Sequence, residues 1–598
     1  MLCFIEQLKK LKESSKEAVE NIDTFSSFKD YMHITRLAQE ELWDLIMRTK
    51  ESKHSQLILV CGGVGDGKSH LISYFIKNNP DIMAQFKIHN DATESFEPEK
   101  TSIDTLNDVL NAFSDENLME KGVSEKLILA INLGTLNNFI DSSYGNRYLR
   151  LIEYVRKNKI LESIIVENSF NDSDLFQYIN FSDYHMFTLT EKGVKSDYIY
   201  ELINKVTVED DNNPFYSSYK NYCSNCYCRD NCPIRLNYEF LMSEQIKTEI
   251  INFLIEAMIK EKLIVSTRSL LNFIYDCIVP NNLDSINIEK IKGQINNIKT
   301  REIINFLMPN LIFEHKDLSN IFEILERLDP ITNRSEITDQ LIIKLNTIEK
   351  VSLLFREHIN LVYKDKILYL LDNDELFKSQ IEELGERELK DFKDQINRFF
   401  IRMYRLSPKN KTTDMEDDIY IEYLKNLYWW NNQNKKELRS LFEKIKDALF
   451  KWNGPSIPEY INFTIGKNNF GYKISQKINL LAEVSEFNPK TEQELYKFIP
   501  FIVLKYKSND AGQVNSIILD FSLYRLLMEV RDGYRPNKKD KYDYISFVDF
   551  LERILKFGNQ DKELIIQSKS SDATRYRLSY DAEFDQYSFE EIKGWSTN

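Results

Sequence analysis

The stretch LILVCGGVGDGKSHLISYF, Leu57 to Phe75, constrains this chain more than any other. An apolar run over 56–61 leads into Gly62-x-x-x-x-Gly67-Lys68-Ser69, and helical spacing resumes over 68–78. Strand, glycine loop and helix in that order make a phosphate cradle. Glycines let successive backbone N–H groups turn toward one anion where side chains would obstruct them. The start of a helix adds partial positive charge. The predicted nucleotide-binding set is Gly62, Gly63, Val64, Gly65, Asp66, Gly67, Lys68, Ser69 and His70. Lys68 is expected to reach the β- and γ-phosphates of ATP, and the Ser69 hydroxyl to ligate Mg²⁺.

Around the loop, short apolar runs alternate with longer helical stretches. The runs are 56–61, 86–90, 126–131, 163–167 and 184–189. Such alternation predicts an α/β fold with a parallel five-stranded sheet covered on both faces, a P-loop NTPase core of AAA-like type. A chain of 598 residues is too long for one core. The expected domains are an N-terminal helical segment (1–50), the NTPase core (51–205) and a helical lid with a cysteine cluster (206–305). A helical domain (306–450) and a C-terminal α+β accessory domain (451–598) follow.

A net charge of −15 argues against a protein that wraps nucleic acid over its whole surface, because phosphate neutralisation dominates that affinity. It leaves room for a local DNA contact or a basic partner. No apolar run is long enough for a membrane span, and the N-terminus lacks the pattern of an export signal. The expectation is a cytoplasmic protein with no membrane partner. No Ser/His/Asp triad, HExxH or nuclease motif is present.

Whether the nucleotide is hydrolysed depends on acids. The third strand of an AAA-like core normally ends in Asp or Asp-Glu, which hold Mg²⁺ and polarise the attacking water. Here that strand, KLILAIN, ends in Asn132, which is neutral and no base. The fourth run, SIIVENS, ends in Glu167 and Asn168. Asn168 matches the usual place of a γ-phosphate sensor, and Glu167 is a candidate displaced acid. Asp91 and Glu94, after the second run, are further candidates. Each reads equally as a solvated strand end. Arg268, in the first turn of a helix capped by Ser266 or Thr267, is a candidate lid arginine, since its planar fork suits phosphate. Arg147, Arg150 and Arg156 are candidate fingers toward a neighbouring subunit, so self-association is open; a charged helix face explains them as well.

Four of the seven cysteines fall in YCSNCYCRDNC: Cys223, Cys226, Cys228 and Cys232, spaced C-x2-C-x-C-x3-C. Four thiols so close point to structural Zn²⁺, which folds a loop too short for its own core. An iron–sulfur cluster, redox thiols and unligated cysteines remain open. Cys3, Cys61 and Cys277 read as simple thiols. Trp429 and Trp430 offer base-stacking surfaces but fit a helix core better. YRPNKKDKYDY (534–544) reads as a basic, solvated loop.

The P-loop CGGVGDGKSHLISYF, followed by IHNDATESFEPEKTSIDTLNDVL and LILAINLGTLNNF, resembles the F subunit of DNA phosphorothioation-dependent restriction systems of the Dnd or Dpt type. CPIRLN and STRSLLNFIYD are similar too, so the resemblance covers about 50–300. It implies a bacterial defence role: an ATP-binding subunit acting with two partners, one a larger ATPase, on DNA lacking the modification. The nucleotide role it carries over falls on Gly62, Gly65, Gly67, Lys68 and Ser69. The missing acid at Asn132 departs from a hydrolysing core, and a nucleotide-gated scaffold without turnover is the other reading.

Overall fold

A computed structural model describes residues 3–20, 27–63, 65–90, 100–119, 125–162, 170–285, 287–333, 336–348, 350–360, 385–409, 417–455, 457–463, 471–508, 513–557, 562–568 and 574–592. The chain divides into two compact units. The first holds Met1–Thr188, Val194–Glu416 and Tyr496–Phe498; the second holds Leu189–Gly193, Asp417–Leu495 and Ile499–Asn598.

In the first unit, helices α1 (Phe4–Glu20), α2 (Ser27–Tyr31) and α3 (Leu37–Glu51) precede strand β1 (Gln56–Gly62). Then come α4 (Lys68–Asn78), α5 (Pro80–Met83), β2 (Lys87–His89), α6 (Ser102–Leu110) and β3 (Lys126–Asn132). Helices α7 (Leu133–Ile140) and α8 (Leu149–Lys157) lead to β4 (Phe176–Asn180). These strands form a four-stranded sheet in the order β2-β3-β1-β4, parallel throughout.

The strand sequences explain why both faces are covered. Every residue of β1 is buried, so neither face is free to meet water. Leu57, Leu59 and Cys61 pack with Leu106 of α6, Leu136 of α7 and Leu151 of α8. Their neighbours Ile58 and Val60 point the other way, onto Leu42 and Ile46 of α3 and Leu71, Ile72 and Phe75 of α4. Two cores thus grip one sheet, and the C-terminal ends of the strands carry the glycine loop.

The expected five-stranded sheet is corrected in two places. Run 184–189 does form a strand, Tyr184–Thr190, but it stands outside the parallel sheet. The edge beside β1 is instead Phe176–Asn180, a stretch the sequence reading passed over. Its alternation is disguised by Gln177, a polar residue at 1% exposure. The Gln177 amide donates to Gln56 Oε1 (3.3 Å) and to the Asn171 carbonyl (2.7 Å), which removes the desolvation penalty of burying it. Run 163–167 lies outside the described residues.

From Asp197 onward the described residues of this unit up to Leu406 are mainly helical: α9 (Asp197–Thr207), α10 (Pro214–Cys223), α11 (Pro233–Leu241), α12 (Glu244–Lys260), α13 (Thr267–Ile278) and α14 (Ile288–Asn297), then helices from Met308–Glu314 to Glu386–Leu406. Arg402, buried in the last of these, is matched by Asp329 (2.6 Å), Glu314 (2.5 Å) and Asn310 (2.8 Å). Its charge is therefore paired and hydrogen-bonded, as burial demands.

The second unit is α+β. Its five-stranded antiparallel sheet runs Gln586–Glu591, Arg575–Asp581, Glu563–Ser568, Tyr472–Lys477, Tyr460–Phe463. A second antiparallel sheet orders Val514–Leu519, Ile502–Ser508 and Leu480–Ala482. Helix Asp418–Asn431 carries Trp429 and Trp430; the Trp430 indole N–H donates to the Val503 carbonyl (2.9 Å), a structural use of the ring. Within 534–544, Lys538–Asp543 is a short helix rather than loop, capped reciprocally by Asn537 and Asp540.

Candidate functional site

The glycine loop leaves β1 at Gly62 and enters α4 at Lys68. Gly67 is the N-cap, with φ +90°, and Gly65 has φ +86°. Both lie in the left-handed region, where an L side chain clashes with its own backbone. Space forbids a side chain as well: a Cβ on Gly65 would stand 2.9 Å from Ser266 Cβ, and one on Gly67 2.9 Å from an Arg36 guanidinium nitrogen. The close approach of backbone required of an anion cradle is thus present. Val64 lies outside the described residues.

The loop's polar groups engage one another. The Lys68 ammonium donates to the Gly63 carbonyl (2.6 Å), and the Asp66 carboxylate accepts the Gly63 N–H (2.5 Å). The Ser182 hydroxyl also donates to Asp66, at 3.4 Å. Ser69 donates to the carbonyl of Asn90, at the end of β2, at 3.1 Å. Asn90's carboxamide oxygen and nitrogen are both buried without a hydrogen-bond partner among the described residues. That amide, unpartnered among the described residues, belongs to the residue whose carbonyl accepts the Ser69 hydroxyl, and its chemistry would suit a hydrated cation.

His70 is half-enclosed by the segment that follows α2. Its Nε2 lies 3.1 Å from His33 Nδ1, and His33 stacks on Tyr74 with ring centroids 3.8 Å apart. Burial first, then the neighbouring His33 and Arg36, depress the His70 pKa to about 4, so the ring is neutral near pH 7.

Asn132 occupies the tip of β3, directly opposite Gly62. Its side-chain oxygen accepts the Thr135 N–H at 2.7 Å and caps α7. The Ser69 hydroxyl meets the residue that follows β2 rather than β3. Asp91 is the next residue in the chain; it, Glu94, Glu167 and Asn168 lie outside the described residues.

Arg268 is exposed in the first turn of α13. Its neighbour Ser266 caps that helix through a reciprocal pair with Ser269 (3.1 and 2.8 Å) and abuts Gly65, which brings the start of α13 to the loop. Arg147 is engaged locally, donating to Asn107 Oδ1 (2.8 Å) and Asn111 Oδ1 (3.0 Å). Arg150 and Arg156 are exposed on α8.

Several neighbours of the loop escaped the sequence reading. Arg36, just before α3, donates to the Asp66 carbonyl (2.9 Å) and lies over the Tyr198 ring (4.8 Å). Asp183 follows β4 and accepts from the Asn180 amide (2.9 Å). Burial lifts its pKa to about 6, against the opposing pull of Lys497 and that hydrogen bond. Neither residue carries a motif; only folding brings them to the strand ends.

The structure places the four clustered cysteines from the end of α10 to the N-cap of α11. Among the described residues, no group of three or more His, Cys, Asp or Glu is gathered so as to hold a metal ion. The Cys228 thiol lies beside Cys226, donates to Asn296 Oδ1 (3.3 Å) and faces the Lys292 carbonyl (3.6 Å) on α14. Burial raises the Cys228 thiol to about 11 and Cys232 to about 12. Cys3, read as a simple thiol, lines the same cavity as Cys223, Cys226, Cys228 and Cys232. Cys61 is fully buried in β1 and Cys277 in α13.

No helix among the described residues is long and apolar enough to cross a membrane. Comparison of the chain with protein-family models, curated proteins and solved structures finds no match.

Proposed function

We propose that this chain binds ATP·Mg²⁺ through the Gly62–Ser69 loop, in a P-loop NTPase core of AAA-like type. The observation that carries the reading is Gly67, a left-handed N-cap that opens α4 with Lys68 and Ser69 in its first turn and Ser69 hydrogen-bonded to the end of β2. Lys68 would exchange the Gly63 carbonyl for phosphate oxygens, a charge-assisted bond of greater strength. In this reading Asn132 caps α7 and serves as no base, Asn168 is the candidate γ-phosphate sensor, and Asp91 is the acid that would hold the metal. The assignment rests on the loop's orientation toward β2.

A defence role is proposed on the likeness of 88–110 and the neighbouring motifs to the F subunits of phosphorothioation-dependent restriction systems. There the chain would be a cytoplasmic ATPase subunit that couples ATP to engagement of unmodified DNA by its partners, including a larger ATPase. The capping role of Asn132 favours a second reading, a nucleotide-gated scaffold that binds without turnover.

Calorimetry with ATP·Mg²⁺, with phosphate release measured alone and with DNA and partner subunits, tests both. Saturable binding abolished by Lys68→Ala supports the site, and its absence in the unaltered chain overturns it. Phosphate release abolished by Asp91→Asn supports an ATPase. Binding with no release under any condition leaves the scaffold.

A further inference from the structure

Five thiols share one cavity, yet only four are neighbours in sequence. We propose that Cys3, Cys223, Cys226 and Cys232 form the metal-binding set, holding a zinc ion, and that Cys228 stands outside it.

The packing of three elements carries this. Cys3 immediately precedes α1, α10 ends at Cys223, and α11 follows its N-cap, Cys232. Phe4, beside Cys3, is buried and meets Tyr219 of α10 edge-on at 5.8 Å and Tyr238 of α11 at 4.7 Å. The two tyrosine rings in turn lie 5.1 Å apart. One aromatic trio therefore locks together the three segments that bear thiols. Cys223 lies within electrostatic reach of Cys232, Cys3 and Cys226, and Cys232 within reach of Cys3 and Cys226.

Cys228 touches Cys226, but of the five thiols it is the one also engaged by α14. Its thiol already has a partner in Asn296, which competes with inward rotation. The backbone N–H groups of Arg235 and Ile234 lie near the Cys232 sulfur and favour its thiolate, the support that a ligating thiolate uses. Spacing agrees. Cys223-x2-Cys226 is an ordinary zinc pair, and omitting Cys228 removes the C-x-C step that fits a tetrahedral site poorly. The thiols as they stand are not drawn to a common centre, and metal entry requires the four to turn inward.

The test uses the full chain and its Cys3→Ser, Cys228→Ser and Cys232→Ser variants. Each is loaded with Zn²⁺, analysed for metal by mass spectrometry, and challenged with a chromogenic chelator. The expected result is retained zinc in the unaltered chain and in Cys228→Ser. Cys3→Ser and Cys232→Ser should release it about tenfold faster or more. Co²⁺ loading gives a second readout, since thiolate-to-cobalt absorption should weaken in Cys3→Ser and not in Cys228→Ser. Alkylation of the unaltered chain needs no variant to fold: Cys3 should react only after the chelator removes zinc. Equal Cys3 labelling with and without metal, loss of zinc in Cys228→Ser with retention in Cys3→Ser, or no Zn²⁺ or Co²⁺ uptake by the unaltered chain each overturn the proposal.

Discussion

Between Gly62 and Ser69, eight consecutive residues supply the groups of the glycine loop, whereas the cysteine cavity joins Cys3 to a segment that begins at Cys223. The loop works through its backbone. Its glycines and the start of α4 set the direction of N–H groups, and neighbours such as Arg36 and Ser266 only close around it. The cavity works through side chains that no local rule aligns, and it exists because α1, α10 and α11 pack on shared aromatic rings. Two sites in one unit thus have different dependencies: one on local conformation, the other on long-range packing.

The largest expected effect lies on the packing side. Phe4→Ala removes a fully enclosed ring and should cost about 3–5 kcal/mol of stability. Faster alkylation of Cys223 and Cys232, with ATP affinity unchanged, is the expected pattern. A parallel loss of ATP affinity would break the comparison by showing that the two sites depend on one packing event.

Next comes Lys68→Ala, which removes a charged donor from the loop. It should weaken ATP binding about 10–100-fold in calorimetry while leaving the melting temperature near that of the unaltered chain. Gly67→Ala should follow, at about 1–2 kcal/mol, because a side chain at φ +90° is strained whatever its contacts. Its penalty should appear in thermal unfolding as well as in binding, unlike that of Lys68→Ala. If Gly67→Ala were silent in both, the backbone account of the loop would be wrong.

The smallest expected effect is a pH slope. Asp183 has a folded pKa raised to about 6 from 3.8, so its contribution to stability is present at low pH and is lost as pH rises toward 6. His70 has a folded pKa depressed to about 4 from 6.5, so its contribution is present above 6.5 and is lost as pH falls toward 4. The two slopes oppose each other over the same window. Asp183→Asn should make the melting temperature fall more steeply on acidification between about pH 6.5 and 4, and His70→Gln should flatten that fall. Identical slopes in both variants would remove these groups from the account of acid stability.

Legibility in the sequence followed the same division. Strand β1, the glycine loop and α4 were all readable, because apolar runs, glycines and helical spacing are properties of neighbouring residues. Strand β4 was not, since Gln177 is tolerated inside the sheet only through its amide contacts with Gln56 and Asn171. Asn132 was visible at the end of its strand, but its use as the cap of α7 needed the fold. So did the meeting of Ser69 with Asn90, on which the proposal of Asp91 as the metal-facing acid rests.

By itself the order of residues determined the strand–loop–helix cradle, because left-handed glycines and a helix start are encoded within a few positions of one another. Only the tertiary structure decided which strand borders the loop's hydroxyl, that Asp183 stands among its neighbours, and that Cys3 joins the cluster. Those placements depend on which buried surfaces meet, and burial is settled by the chain as a whole.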